Sequence, residues 1–349
     1  MNPVRFATIG TSMISDNFIE ALCACPRASY RGTLSRNAER AAAWTEQHGG
    51  DLPFSSIDEV CASDEVDAVY IASPNALHLG QALACIEAGK HVLVEKPACS
   101  NRHEAEGLFS AVHEHGVVAM EAMRPLHDPA FLAVADLLPR IGRVRRASLR
   151  FGKYSSRYDD VLAGRHTNIF DAHMASGALM DLGVYTVEPM LWLFGEPKRV
   201  MGASALVDES LRTATNGAVD VAGTVLASYD GMLVELSYSK VTNDLLPSQI
   251  EGELGTILIT GISAPKAVEL RMRGEARRDS AKAVAQGAGA VEHIEVPSCE
   301  NSMVYEIDDF VAAIAGELDP APYERVTLAA LGIMDEVRRQ AGITFPADA

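Results

Sequence analysis

The sequence predicts an α/β protein: an N-terminal doubly wound parallel sheet, followed by an α+β region with an open, mainly antiparallel sheet. Three observations predict it. Up to Met123, short apolar strand signals alternate with helical spacing across short connections. Beyond Met123 the rhythm changes to runs of strands with few helices. The length of 349 residues, 48% of them hydrophobic and 22% charged, suits a globular chain of two domains with a sizeable core. We divide it into residues 1–123 and residues 124–349.

The first strand spans residues 4–10, an apolar run ending in glycine, and helical spacing follows over residues 14–24. Residues 29–34 form the second strand and residues 37–48 an alanine-rich helix. The third strand, residues 67–72, runs into Ser73-Pro74-Asn75 and a helix over residues 77–88. Residues 91–94 are a strand ending at Glu95-Lys96-Pro97, residues 102–115 a helix, and residues 117–120 the closing strand. Near-continuous apolar strands of this kind fit a parallel sheet covered on both faces. In the second part, residues 128–138 read as a helix and residues 143–153 as a strand with one wet face. A helix over residues 176–194 precedes strands at residues 199–206, 219–229, 232–241 and 256–260, with Asp230-Gly231 as a two-residue hairpin turn. Residues 276–290, rich in Ala and Gly, read as a loop, and helices over residues 305–315 and 325–340 end the chain. An open sheet with one exposed apolar face favours pairing with a second copy, so a homodimer or homotetramer is expected.

Lys plus Arg number 30 against 47 Asp plus Glu, a net charge of −17. Such a chain repels phosphate backbones and anionic lipid, which excludes nucleic acid and membrane surfaces as partners. No apolar run reaches the length of a membrane span, and the N-terminus lacks a signal-peptide layout. The six cysteines contain no CxxC pair, and His113 and His115 are too close to share a ligand face, so no metal is expected. These features read as a reduced, cytoplasmic protein acting on a small molecule.

Four segments carry candidate chemistry. Gly10-Thr11-Ser12-Met13-Ile14-Ser15 joins the first strand to the first helix, where a dinucleotide turn would carry G-x-G-x-x-G. Only the first glycine is kept. Ser12 and Ser15 are small, and their hydroxyls can donate to a phosphate at a helix N-terminus that favours anions; an ordinary strand–helix turn fits the same residues. The second strand ends in Thr33-Leu34-Ser35-Arg36-Asn37, with no acid until Glu39. Ser35 and Arg36 suit a 2′-phosphate by charge and bidentate geometry, which favours NADP while leaving NAD possible. The alternative is a capped helix start with a solvent-facing arginine. Glu95-Lys96-Pro97 follows the fourth strand, and ligands of open parallel sheets lie beyond the carboxyl ends of the strands. A lysine there, near a cationic nicotinamide, is easier to deprotonate or to use as a polarising donor. Asp181 and Tyr185, four residues apart, share one helical face. Such a pair can orient a hydroxyl for proton transfer, or can be a satisfied aspartate beside a core tyrosine.

The order of these segments, with Ser73-Pro74-Asn75-x-x-His78, the run from Ala88 to Pro97, and Gly177-Ala178-Leu179-Met180-Asp181-Leu182-Gly183-Val184-Tyr185, resembles the glucose–fructose oxidoreductase and inositol dehydrogenase (Gfo/Idh/MocA) family over the whole chain. Tyr185, where many members carry His, looks most like the dihydrodiol and xylose dehydrogenase branch; the glycine turn departs from the pattern. The resemblance implies a Rossmann domain for NAD(P) over residues 1–123 and a substrate-binding, oligomerising domain over residues 124–349. It implies hydride transfer between nicotinamide C4 and a hydroxyl or carbonyl carbon of a sugar, polyol or related cyclic alcohol. Gly10, Thr11, Ser12, Met13, Ile14, Ser35 and Arg36 would hold the dinucleotide. Ser73, Pro74, Asn75 and His78 would line its nicotinamide end, with Arg124 near the carboxamide. Lys96 would meet the nicotinamide ribose and the reacting oxygen, fixed by Glu95 and a cis Pro97. Asp181 and Tyr185 would face the substrate, Tyr185 as proton carrier. Arg165, His166 and Asn168 could read the substrate, or form a plain loop. The same scaffold resembles two other classes: sensors that bind the dinucleotide without catalysis, and NAD-dependent glycosidases. Retention of Lys96 and Tyr185 argues against a sensor, and a glycosidase would show no net change in cofactor absorbance.

Overall fold

The computed structural model describes residues 2–274, 288–296 and 299–349. Its first half alternates strand and helix: β1 (Val4–Ile9), α1 (Met13–Ala24), β2 (Ala28–Leu34), α2 (Ala38–Gln47), α3 (Ile57–Ala62), β3 (Ala68–Ile71), α4 (His78–Glu87), β4 (His91–Glu95), α5 (Arg102–His115) and β5 (Ala119–Ala122). The five strands are parallel, in the order β2-β1-β3-β4-β5. Successive residues of β3 enter opposite cores. Ala68 and Tyr70 join Phe6, Phe18 and Leu93, while Val69 and Ile71 join Val60, Ile86 and Leu108. Burial on both faces explains why these strands read as unbroken apolar runs. Strand order reverses between β1 and β3, so a crevice opens beyond their carboxyl ends.

The second half contains α6 (Pro129–Leu137), β6 (Val144–Gly152), α7 (Arg157–Leu162), α8 (Val184–Phe194), β7 (Arg199–Leu206), β8 (Asp220–Tyr229), β9 (Met232–Ser239), β10 (Ser248–Gly252), β11 (Gly255–Thr260), β12 (Ala267–Arg273), β13 (Ala288–Ile294), α9 (Met303–Ile314) and α10 (Ala321–Ala341). Its eight strands are ordered β13-β12-β11-β10-β6-β9-β8-β7. Every pair is antiparallel except β6 with β9. One face, with Leu149, Val225, Leu236, Ile250 and Ile257, packs on α6, α8 and α10. The helix α9 turns back onto α1, and α10 also reaches α5 and β5.

Several expectations change. The closing strand of the first sheet begins two residues later, because Val117 ends α5: its N–H donates to the Val112 carbonyl beyond the left-handed Gly116. Unexpected α3 is capped by Ser56, whose hydroxyl accepts from the Glu59 N–H. Strands β10, β12 and β13 were not foreseen either; of the expected loop over residues 276–290, residues 276–287 lie outside the described residues and 288–290 open β13. The outward sheet face is mixed, not apolar. Arg146 pairs with Glu251 across strands at 2.6 Å, and Met201 and Leu233 stand among Ala203, Thr224 and Ser237. Among the described residues no helix is long and apolar enough to cross a membrane.

The expected helix over residues 176–194 is divided. Leu179–Gly183 forms a π-turn, and α8 starts at Val184. Gly177 takes φ +147° before it, and a Cβ there would lie 2.3 Å from Asp220 Oδ1. The buried Asp220 carboxylate accepts from the N–H groups of Ala178 (2.9 Å) and Leu179 (2.8 Å). Donors that open the turn are satisfied by a side chain from β8.

Candidate active site

The turn between β1 and α1 needs its one glycine. Gly10 has φ +113°, and a Cβ would sit 2.7 Å from the Ala72 carbonyl at the end of β3. Ser15 is fully buried, with its hydroxyl 3.4 Å from that of Ser12, so the small serine fits where the third glycine was expected. Ser12 caps α1 without a side-chain bond, and Met13 is exposed. These features leave the first N–H groups of α1 facing the crevice, a surface that suits a pyrophosphate.

At the end of β2, the Ser35 hydroxyl accepts from Asn37 N–H at 3.3 Å and Arg36 is exposed. The guanidinium that touches the turn belongs to Arg40, whose Nη2 donates to the Thr11 carbonyl at 2.7 Å. Sequence reasoning missed it. A signal existed: Asn37 caps α2, which puts Arg40 in the first helical turn, where a cation opposes the helix dipole.

The segment after β3 binds the two halves together. Asn75 Nδ2 donates to the Ala175 carbonyl at 2.8 Å, and the Ser73 hydroxyl donates to Gln81 Oε1 at 2.7 Å. Pro74 stays partly exposed. His78 is different from expectation: it is fully buried, with Nε2 2.8 Å from the Ser73 carbonyl and Nδ1 3.0 Å from that of Pro97. Burial pushes its pKa down. A neutral ring donates to one of these carbonyls, and it braces the two loops from behind instead of lining the crevice.

Lys96 is the centre of the site. It follows buried Glu95, which accepts from the Tyr70 hydroxyl at 2.5 Å and from the Lys96 N–H at 3.2 Å; the Lys96–Pro97 bond is cis. Lys96 Nζ donates to Asp181 Oδ1 at 2.8 Å and to the Asp181 carbonyl at 2.9 Å. From the other side Lys240, 1% exposed, donates to Asp181 Oδ2 at 2.8 Å and to the Ile169 carbonyl at 3.1 Å, with its Nζ 4.7 Å from the Phe170 ring centroid. Burial works against the Asp181 carboxylate, but Lys96 and Lys240 outweigh it and hold the group well below the usual range. Burial likewise opposes the Lys96 cation, and attraction to Asp181, Tyr185 and Glu95 overrides it, so the pKa rises. Of the two roles open to Lys96, polarising donor and deprotonated amine, its setting favours the donor.

Tyr185 brings its ring to 4.8 Å from Lys96 Nζ and stands edge-on to Phe151. Burial pushes its pKa up to about 12, with Lys96 opposing. The π-turn changes the expected geometry: Asp181 and Tyr185 converge on Lys96, but among the described residues no hydrogen bond joins them. Asp181 therefore aims Lys96, not the tyrosine hydroxyl. Lys240 was missed, although period-2 counting from Val234, Leu236 and Tyr238 puts it on the buried face. Arg124 follows β5, with a buried Nε that lacks a partner among the described residues. Arg165 turns to Asp160 at 2.7 Å, and His166 Nε2 lies 2.7 Å from buried Asp171. Asn168 gives its backbone carbonyl to the Ser176 hydroxyl.

Comparison with known proteins adds the following. Residues 4–123 match the model of an oxidoreductase family with an NAD-binding Rossmann fold, and residues 137–258 match the GFO/IDH/MocA C-terminal domain. The chain is 40% identical over 348 residues, 99% of both chains, to scyllo-inositol 2-dehydrogenase (NADP(+)) of Bacillus subtilis (strain 168). It is 26% identical over 355 residues, again 99% of each, to trans-1,2-dihydrobenzene-1,2-diol dehydrogenase of Mus musculus. A 3-ketoreductase from Actinomadura kijaniata, solved with NADP and TDP-benzene, superposes with a TM-score of 0.81 at 26% identity, covering 97% of this chain and 98% of that one.

Proposed function

The chain belongs to the Gfo/Idh/MocA oxidoreductase family, and from that premise we propose that it oxidises one ring hydroxyl of a cyclic polyol, an inositol, with NADP. It is an NAD(P)-dependent oxidoreductase; the 40% identity to a scyllo-inositol dehydrogenase supports this substrate class. We assign residues 1–123 to the cofactor and residues 124–349 to the substrate and self-association.

The residues present fit a dinucleotide. The turn at Gly10 has no room for a Cβ, and the crevice lies at the strand-order reversal. Gly10, Thr11, Ser12, Met13 and Ile14 would hold the pyrophosphate; Ser35, Arg36 and Arg40 would meet the 2′-phosphate. Ser73, Pro74, Asn75, Glu95 and Arg124 would flank the nicotinamide, with His78 bracing them. When bound, this cofactor supplies the carbon that accepts the hydride.

The observation that carries the reading is a cationic Lys96 held between the Asp181 carboxylate and the Tyr185 ring. In oxidation Lys96 donates a hydrogen bond to the substrate oxygen, and Tyr185 Oη takes its proton. A tyrosine pushed up to about 12 is neutral at pH 7. It is then ready to give a proton in carbonyl reduction, and oxidation should speed up as pH rises. The test follows reduced-nicotinamide absorbance with scyllo-inositol, myo-inositol and D-xylose. Tyr185→Phe and Lys96→Ala should each cut turnover by about 10²–10⁴, with NADP affinity nearly kept in Tyr185→Phe. Near-full turnover in Tyr185→Phe would move the proton to another group, His166 first.

A further inference from the structure

We propose that Lys240 is a positioning residue for this reaction: by taking one oxygen of Asp181 it reserves the other for Lys96 and leaves the three groups with a net charge of +1 beside Tyr185. The inference rests on the roles given above to Lys96 and Tyr185.

Lys240 lies just past β9, and its side chain is 1% exposed. A lone ammonium in such a place is costly, and an apolar side chain of the same length would fill the space with less desolvation. Packing alone does not account for it. Each Asp181 oxygen has its own ammonium, Lys96 on Oδ1 and Lys240 on Oδ2, both at 2.8 Å. With Lys96 alone the pair would be neutral. The second lysine makes the group cationic, which lowers the cost of negative charge on the tyrosine or substrate oxygen during proton transfer.

Lys240 also fixes where the carboxylate can go. Its bond to the Ile169 carbonyl ties Asp181 to the segment whose Ala175 carbonyl is held by Asn75. Rotation of Asp181 toward solvent, where 37% of its side chain is still exposed, would break both ammonium contacts. Among the described residues, the other charged or titratable groups facing the cluster are Glu95 before Lys96, Tyr70 on β3, Arg124 after β5 and Asp220 on β8, with Glu306 on α9 beside Glu95 and Arg124. Asp220 is committed to two backbone N–H groups, and Glu95 to Tyr70 and the Lys96 N–H. The remaining cation, Arg124, also favours an ionised Tyr185, but among the described residues it makes no hydrogen bond to Asp181.

The experiment records kcat/KM against pH for whichever of scyllo-inositol, myo-inositol and D-xylose turns over fastest with NADP, in unaltered protein and in Lys240→Met. With Tyr185 pushed up to about 12, kcat/KM climbs across the whole accessible range, and in Lys240→Met it should lie about tenfold lower there at the same slope, as a limb displaced by one pH unit would. The NADP Kd should stay within about twofold. Lys240→Arg, which keeps the charge, should stay within about threefold of the unaltered protein at every pH. An unchanged kcat/KM in Lys240→Met, or a loss in Lys240→Arg as large as that in Lys240→Met, would overturn the proposal. If Lys240→Met does not fold, Lys240→Gln keeps a donor without the charge and is read in the same way. Tyr185→Phe separates the two levels. Should the limb survive that change, the role of Tyr185 is wrong; should it vanish while Lys240→Met leaves it unmoved, only the role of Lys240 is wrong.

Discussion

Both carboxyl oxygens of Glu306, on α9, are buried without a hydrogen-bond partner among the described residues. Burial and the nearby Glu95 push its pKa up to about 8, with Arg124 opposing. An unfolded chain loses this proton near the ordinary glutamate value of about 4.3. Between there and about 8 the native state binds more protons than the unfolded one, so stability falls as pH rises through that window. Glu306→Gln keeps the shape and removes the titration. Its Tm should match the unaltered protein near pH 4 and exceed it near pH 9 by several degrees, at roughly 2–4 °C per kcal/mol. A Tm difference that is the same at both pH values would contradict this. The two arginines at the far end of the crevice give a second residue-level test. A charge-assisted bond to a 2′-phosphate is worth roughly 1.5–3 kcal/mol, or one to two decades of affinity. Arg36→Ala and Arg40→Ala should each weaken NADP by that amount in calorimetry and leave NAD nearly unchanged. Tighter binding of NAD than NADP by the unaltered protein would reverse the assignment.

The π-turn at Leu179–Gly183 is the element on which the site depends, and Gly177 is what lets it form. A side chain there meets both a positive φ and the Asp220 oxygen that caps the turn. Gly177→Ala should cost roughly 1–3 kcal/mol of strain, lower Tm, and reduce turnover further by shifting Asp181 off Lys96. Full activity at an unchanged Tm would show that Asp220 is free to move aside. The sequence displayed the glycine and the Asp181–Tyr185 spacing, but a periodicity of 3.6 contains no sign of a five-residue turn. Elements of the first half were legible because strands buried on both faces are apolar throughout. Strands β12 and β13 were not, since Glu269 and Arg271 alternate with the apolar residues of β12 on a wet, ion-paired face, and Glu292 of β13, opposite Leu270, is drawn to Arg140. Lys96 was legible from its place after β4, whereas Lys240 and Arg40 gave only weaker signals, a place in line with the buried face of β9 and one in the first turn of α2, and neither pattern names a partner. Ser56 and Glu59 did carry the spacing that marks α3.

Across the whole molecule, two surfaces join unlike parts. Asn75 links the β3 loop to the segment before the π-turn, so both halves set the distance between Lys96 and Asp181. The outward face of the eight-stranded sheet is the other, and we infer that it receives a second copy of the chain. Its support is the strip of small residues, Ala203, Ala205, Ala222 and Ser237, flanked by Met201 and Leu233. Light scattering at micromolar concentration should give a homodimer or homotetramer, and Thr224→Arg in the middle of that strip should shift it toward monomer. A monomer for the unaltered protein would end this inference and leave the chemistry untouched.

The return of the last two helices to the first sheet has a consequence for synthesis on the ribosome. Phe6, Phe18 and Leu93 share a core with Met303, Ile307 and Phe310, and Leu331 closes the opposite one. At roughly 5–20 residues per second, the nascent chain exposes β1 to β5 well before α9 and α10 have been translated. The first sheet is therefore completed only after the second has been made. Its apolar face must stay shielded from neighbouring nascent chains until α9 and α10 have been read.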